Sequence, residues 1–316
     1  MEVLSAIFTV SLFAAMLRTT APILLVALGG SFTTKAGIFN IGLEGQMLVA
    51  AFFAVLGSMW SGSAIVGVAC GILAAMVMAM IFSLLVVTLR ANEVVVGLAL
   101  NILAGGLTIS LTKAIFGVRG SIVNPAIVGL PRVEIPFIHG TWPLGTMFSG
   151  YTPLVYAAFV LVFVVWVIQY RTRLGLYIRV TGEKPEAAQS LGIRTARMQH
   201  IASAICGLFA GLAGAHLSLG YITMFAENMS AGRGFMAVAV LIFSNGDPFK
   251  VLLGCLLFGF ADAVSLRLQT VGVSSYLVLM VPYLVSLIAL FALSWRNRDR
   301  VYRTVRQTFS LTPKGT

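Results

Sequence analysis

The chain has 316 residues, of which 59% are hydrophobic and only 10% charged, and its mean hydropathy is +0.99. A soluble domain carries about 25% charged residues, so this composition excludes a water-solvated globule and predicts an all-α polytopic integral membrane protein. The net charge of +11 is concentrated: six of 21 Lys and Arg fall in 171–199 and six more in 296–316. Basic residues flanking spans mark the cytoplasmic side, and without interleaved aromatics they do not read as a nucleic-acid surface.

No chemistry of its own is visible. Cys70, Cys206 and Cys255 are far apart inside apolar runs, and His139, His200 and His216 form no ligand pattern. There is no phosphate loop, dinucleotide fingerprint or H-E-x-x-H. The reading is therefore no cofactor, no metal and no catalytic residue in this chain.

In chain order, the first apolar segment is about 3–30, read as a first span and not as a cleaved signal. Arg18 and Pro22 interrupt it, which predicts a kink or a split into two half-segments. The second span, about 36–57, begins in Lys-Ala-Gly-Ile-Phe-Asn-Ile-Gly-Leu-Glu-Gly-Gln-Met. A carboxylate at membrane depth costs several kcal/mol and is functional by default. Treated as one helix at about 100° per residue, the segment puts Asn40 and Glu44 on one face and Gly42 and Gly45 on the other. It reads as a polar route on one side and a close helix contact on the other. A structural role for Glu44, locking two helices, stays open.

Spans three and four are about 63–89 and 94–117, joined by a short turn with Asn92 and Glu93; Asn101 lies inside span four. Asn92, Glu93 and Asn101 are further candidates for the path, with a plain turn and interhelical bonding as their bland readings. Residues 118–147, rich in Pro and Gly, form the longest outer loop. Span five is about 150–170 and span six about 200–220.

Span seven, about 232–245, starts Gly-Arg-Gly-Phe. Its fourteen or so residues are fewer than the roughly 20 a crossing helix needs, so it is a broken or re-entrant segment. Arg233 is placed at its broken end as a structural residue. Span eight is about 249–268, with Asp262 and Arg267, and span nine about 275–294. The expectation is about 8–10 transmembrane helices in a single domain: 1–170, a cytoplasmic loop 171–199, 200–295, and a basic cytoplasmic tail 296–316. Nine crossings put the N-terminus outside; splitting the first segment gives ten and puts it inside. Arg18 is offered Asp262 or Glu44 as a partner.

The cytoplasmic loop holds Gly182-Glu183-Lys184-Pro185-Glu186-Ala187-Ala188-Gln189-Ser190-Leu191-Gly192-Ile193. Pro185 suits a first helical turn, capped near Thr181 or Glu183. Glu186 complements the helix dipole and Gly192 ends the helix. Such a slim helix suits either a groove on another protein or an ordinary interfacial position.

Glu186-Ala187-Ala188-x-x-x-Gly192 resembles the EAA loop of ABC importer permeases, without the Leu-Pro pair of the maltose-type branch. The chain is similar to the branched-chain amino acid, ribose and nucleoside permease branch, most of all its nucleoside and simple-sugar subgroup. The resemblance rests on Ala27–Gly30 with Ala36–Met47, on Asn92–Gly97, and on Gly232–Asn245. It implies a permease subunit in a bacterial inner membrane. The subunit would pair with a second permease, the same or homologous, a cytoplasmic ATPase and an extracytoplasmic binding protein. Pro185, Glu186, Ala187, Ala188 and Gly192 would form the ATPase contact, and Asn40 and Glu44 would line the path of a nucleoside or sugar. The alternative from another class is an ion-gradient-driven secondary transporter using Glu44 and Asp262 as ion sites.

Overall fold

The computed structural model describes residues 10–134 and 149–270, with Met280 and Leu284. Span nine, the tail 296–316, His139 and the second half of the outer loop fall outside the described residues or nearly so. The described chain is helical apart from one two-residue antiparallel strand pair. Among the described residues, seven helices are long and apolar enough to cross a membrane, and Arg233–Ser244 is a shorter eighth segment.

The first helix, α1, is Val10–Lys35 and runs unbroken through Pro22. The predicted split at Arg18–Pro22 is thus corrected: the helix continues past Pro22 to Lys35, and Thr19 ties it to the later helix Pro248–Thr270 through Gly259 O at 2.8 Å. After a turn come α2 (Leu43–Ser61) and α3 (Ala64–Ser83, extended by a π-helical turn Leu84–Thr88), then α4 (Glu93–Phe116). The strand β1 (Ser121–Ile122) pairs with β2 (Phe225–Ala226). Then α5 is Pro153–Arg171, and α6 (Arg173–Glu183) and α7 (Pro185–Ser190) form the connecting loop. Helix α8 (Thr195–Ala215) continues as a π-helical stretch His216–Tyr221, and α9 (Arg233–Ser244) and α10 (Pro248–Thr270) follow.

Helix α2 lies at the centre, buried along nearly its whole length. Small residues put it there. A Cβ on Gly67 would stand 2.7 Å from Ala54 O, one on Gly207 2.8 Å from Met76 Cα, and one on Gly214 would strike Met47 O. Helices α2, α3 and α8 therefore meet backbone to backbone, the contact lipid-embedded helices use when apolar burial alone gives no advantage over lipid. By contrast α4 and α5 turn apolar side chains outward, among them Ile102, Leu103, Val160 and Phe163.

The bundle has two ends. The loop end carries 118–134, held by β1–β2, by Leu130 N–H to Leu219 O (2.9 Å) and by Ser58 against Val128. The basic end carries α6 and α7. In α9, twelve residues reach about 18 Å at 1.5 Å per residue, short of the roughly 30 Å core. The broken segment is present, and its other part is the irregular stretch 222–232.

Gly214→Val should split the α2–α8 seam. The expected cost is about 1–3 kcal/mol from overpacking, read as a lower thermal midpoint in detergent. Gly105→Ala, where nothing lies within 4 Å of the added carbon, should leave the midpoint unchanged or raise it.

Candidate functional site

The sequence Gly232-Arg233-Gly234 builds the junction at the start of α9. Gly232 holds φ +80, a left-handed turn open to glycine at little cost. Gly234 has no room for a side chain: a Cβ would stand 2.5 Å from the Glu44 backbone. The first turns of α2 and α9 thus abut. Glu44, 7% exposed, spans the gap, accepting from Gly232 N–H at 2.8 Å and from Gly234 N–H at 2.6 Å. A carboxylate on the positive end of a helix, with charge-assisted bonds to orphan amides, is favourable even without water. Arg233 turns away to Asp262 at 3.0 Å and to Met229 O at 3.4 Å.

The stretch before α2 is not helical, which corrects the shared face drawn for Asn40 and Glu44. Gly37 (φ +78) breaks the chain after α1, and the helix restarts only at Leu43. Glu93 accepts from Phe39 N–H at 2.8 Å, and Asn40 Oδ1 accepts from Gly42 N–H at 2.9 Å. Asn101 donates to Ile41 O at 3.0 Å and accepts from Gly45 N–H at 2.8 Å. Asn92 caps α4 through Val94 and Val95 N–H. Asn40 Nδ2 also contacts Cys206 Sγ at 3.4 Å.

All five residues read as path-lining thus bond backbone, because a chain that leaves the helix at membrane depth must have its amides and carbonyls satisfied. The structure brings Asn40, Glu44, Glu93 and Asn101 together around 37–46, and none of the five borders the cavity of about 480 Å³ at the loop end. On the glycine face, a Cβ on Gly45 would stand 2.9 Å from Asn101 Oδ1 and Leu100 O, and one on Gly42 3.2 Å from Asn40 Oδ1.

Glu44 accepts from two amides and Asp262 pairs with the Arg233 guanidinium. Arg18 meets neither acid; its guanidinium lies over the Tyr151 ring, 5.1 Å from the centroid. Sequence reasoning missed Cys206 as the neighbour of Asn40 and Gly182 as the neighbour of Gly37. Gly182 packs against Lys35 O and Gly37 N with no room for a Cβ, and nothing in the spacing of 37 and 182 announces it.

At the basic end, α7 starts with Pro185 in its first turn. Lys184 stands at the cap without a side-chain bond, where Thr181 or Glu183 was expected. Gly192 (φ +78) ends the helix, with Ile193 N–H closing on Ala188 O at 3.0 Å. Pro185, Glu186, Ala187 and Leu191 face outward, Leu191 at 77% exposure. Ala188 is a correction: it is 0% exposed, its methyl turned into the protein, so it anchors the helix and offers no contact surface.

Residues 12–290 match the family model described as the branched-chain amino acid transport system permease component. The chain belongs to this permease family. TsgC13 of Haloferax volcanii, whose name assigns it provisionally to a glucose ABC transporter, is 37% identical over 84% of this chain and 80% of its own. The guanosine ABC transporter permease NupQ of Bacillus subtilis is 35% identical over 87% and 89%. The nucleoside ABC transporter permease NupC of Lactococcus lactis subsp. cremoris is 30% identical over 88% and 90%. A solved inward-facing ABC transporter, described as of metal-chelate type, shares the fold at TM-score 0.52 and 14% identity, covering 90% of this chain and 85% of that one. The permease is a multi-pass membrane subunit of an ABC importer and is not itself catalytic.

Glu44→Gln leaves the permease junction one acceptor short, since an amide NH₂ then faces Gly232 or Gly234. The expected loss is about 1–3 kcal/mol of stability. It reads as a lower thermal midpoint with an unchanged KM in the fraction that remains folded.

Proposed function

We propose that this permease subunit moves a nucleoside or a simple sugar across the cell (inner) membrane. The basic end, with 171–199, is cytoplasmic. A second permease subunit, an ATPase subunit and an extracytoplasmic binding protein complete the transporter, and the tail 296–316 lies on the ATPase side. The observation that carries this reading is α7. A short helix anchored by Ala188 holds Pro185, Glu186, Ala187 and an almost fully exposed Leu191 outward, a small apolar knob with an acid beside it. Such a knob fits a groove on a soluble partner better than it fits water.

The knob has a short connection to the membrane interior. Helix α6 leads from α7 back to Gly182, which packs on Gly37; residues 38–42 lead on to Glu44 and so to α9. A displacement of α7 by the ATPase would act first on the one non-helical stretch between α1 and α2, then on the broken α9. The substrate reading draws on relatives named for glucose, guanosine and nucleosides.

Leu191→Asp, at an exposed position, should leave folding unchanged and weaken ATPase association about tenfold, or about 1.4 kcal/mol. ATP-driven uptake into proteoliposomes of the complete transporter should fall with it. Uptake of labelled guanosine and of labelled glucose, compared in the same vesicles, decides the substrate. Uptake of neither would defeat the nucleoside-or-sugar reading, and full coupling by Leu191→Asp would defeat the docking role.

A further inference from the structure

Among the described apolar helices α9 is the short one, and both its ends are held. Its start is bonded to Glu44 through Gly232 and Gly234. Its end runs into Asn245 and Gly246, at φ 50 and 68, and then into Asp247, the residue before α10. Two left-handed residues in succession turn the chain sharply. Gly246 seats this corner on the last turns of α1: a Cβ there would stand 3.1 Å from Ser31 O and 3.5 Å from Lys35 Cγ.

Asp247 divides its carboxylate. Oδ1 accepts from Lys250 N–H at 3.2 Å, the bond of an N-cap, and the Asp247 carbonyl accepts from Val251 N–H at 2.8 Å. Oδ2 reaches across to α5 and accepts from the Tyr170 hydroxyl at 3.1 Å. A cap needs one oxygen, so the bond to Tyr170 serves something other than starting α10.

Tyr170, in the last turn of α5, is met in turn by α6. The Arg179 guanidinium lies over its ring, 4.8 Å from the centroid. The elbow between α5 and α6 is tight: a Cβ on Gly175 would strike Ile168 O, and Thr172 Oγ1 accepts from Gly175 N–H at 3.2 Å and donates to Ile168 O at 2.6 Å. Helix α7 follows at once, with Ala188 N–H donating to Lys184 O at 3.0 Å. Contacts therefore run without a gap from α7 through α6, Arg179 and Tyr170 to Asp247 at the end of α9. They reach the opposite end of α9 from the one served by Gly182, Gly37 and Glu44.

We propose that Tyr170 and Asp247 are a positioning pair that couples α6 and α7 to the end of α9 during ATP-driven uptake. The proposal rests on the reading of α7 as the ATPase contact. A shift of α7 carries α6 and the end of α5 with it, and the charge-assisted Tyr170–Asp247 bond makes the corner between α9 and α10 follow. Without that bond the ATPase still docks and still hydrolyses ATP, but the end of α9 is no longer drawn along.

The test uses the complete transporter in proteoliposomes, with labelled guanosine and labelled glucose as probes, and reads uptake per ATP hydrolysed. Tyr170→Phe removes the hydroxyl and keeps the ring beneath Arg179. It should bind the ATPase and hydrolyse ATP as wild type does, with uptake per ATP lower by about tenfold, the size of one hydrogen bond to a charged group. Asp247→Ser keeps one oxygen for the cap and has none to spare for Tyr170. It should lose as much, and the double variant should lose no more than either single one. Tyr156→Phe, the same change at the loop end of α5, should leave the ratio unchanged. A second readout needs no substrate. Spin labels at Lys250→Cys and Lys113→Cys, both exposed, with Cys70 replaced by alanine, should change separation when ATP and vanadate trap the ATPase, and should not in Tyr170→Phe. An unchanged ratio or an unchanged spin-label response in Tyr170→Phe would overturn the pair while Leu191→Asp still weakened ATPase association. Equal falls in thermal midpoint, hydrolysis and uptake would make the bond merely structural, and additive losses in the double variant would separate the two residues; either result would overturn the proposal.

Discussion

Backbone that leaves a helix inside a membrane has no water to bond, and each buried amide or carbonyl left open costs about 1–3 kcal/mol. Among the described residues the chain leaves the helix at 37–42 and at 222–232, and both breaks end where Glu44 joins the first turns of α2 and α9. Glu93, Asn40 and Asn101 serve the first break; Glu44 serves the second. The polar residues of the apolar runs are the partners that irregular backbone requires. Their placement follows from where the chain breaks; Gly37 in the first break, and Thr223, Asn228, Ala231 and Gly232 in the second, take positive φ.

That logic explains what could be read in advance. The long apolar runs announced the spans, since length and hydropathy act locally and need no partner. The shortness of 232–245 announced a broken segment for the same reason. The faces of the second span were misjudged because spacing maps to a face only if the helix is continuous. A glycine such as Gly37 is compatible with a membrane helix as well as with a break. What decides between them is Glu93, more than fifty residues away, whose carboxylate is present to receive Phe39 N–H. The same holds for Ala188: Pro185 and Gly192 delimit the helix from sequence, but which alanine turns inward depends on packing against the bundle.

The centre of the molecule is built to resist change. Helices α2, α3 and α8 approach until glycine is the only residue that fits, at Gly67, Gly207, Gly211 and Gly214 among others. Contacts of that kind do not slide by fractions of an ångström without clashing. The irregular stretches also meet their neighbours through glycine, at Gly37–Gly182, Gly42–Gly97 and Gly234–Glu44, and are held in addition by individual hydrogen bonds to side chains.

The charges divide along the same line. Arg233 and Asp262 neutralise each other beside the junction, and the Glu44 charge is spent on two amides and a helix end, so the middle of the bundle has little field to offer an ion. The remaining described positive charge is carried at the two ends. At the basic end the arginines of 171–199 flank α6 and α7, where water reaches them. At the loop end three arginines converge on one cavity instead of dispersing over the surface.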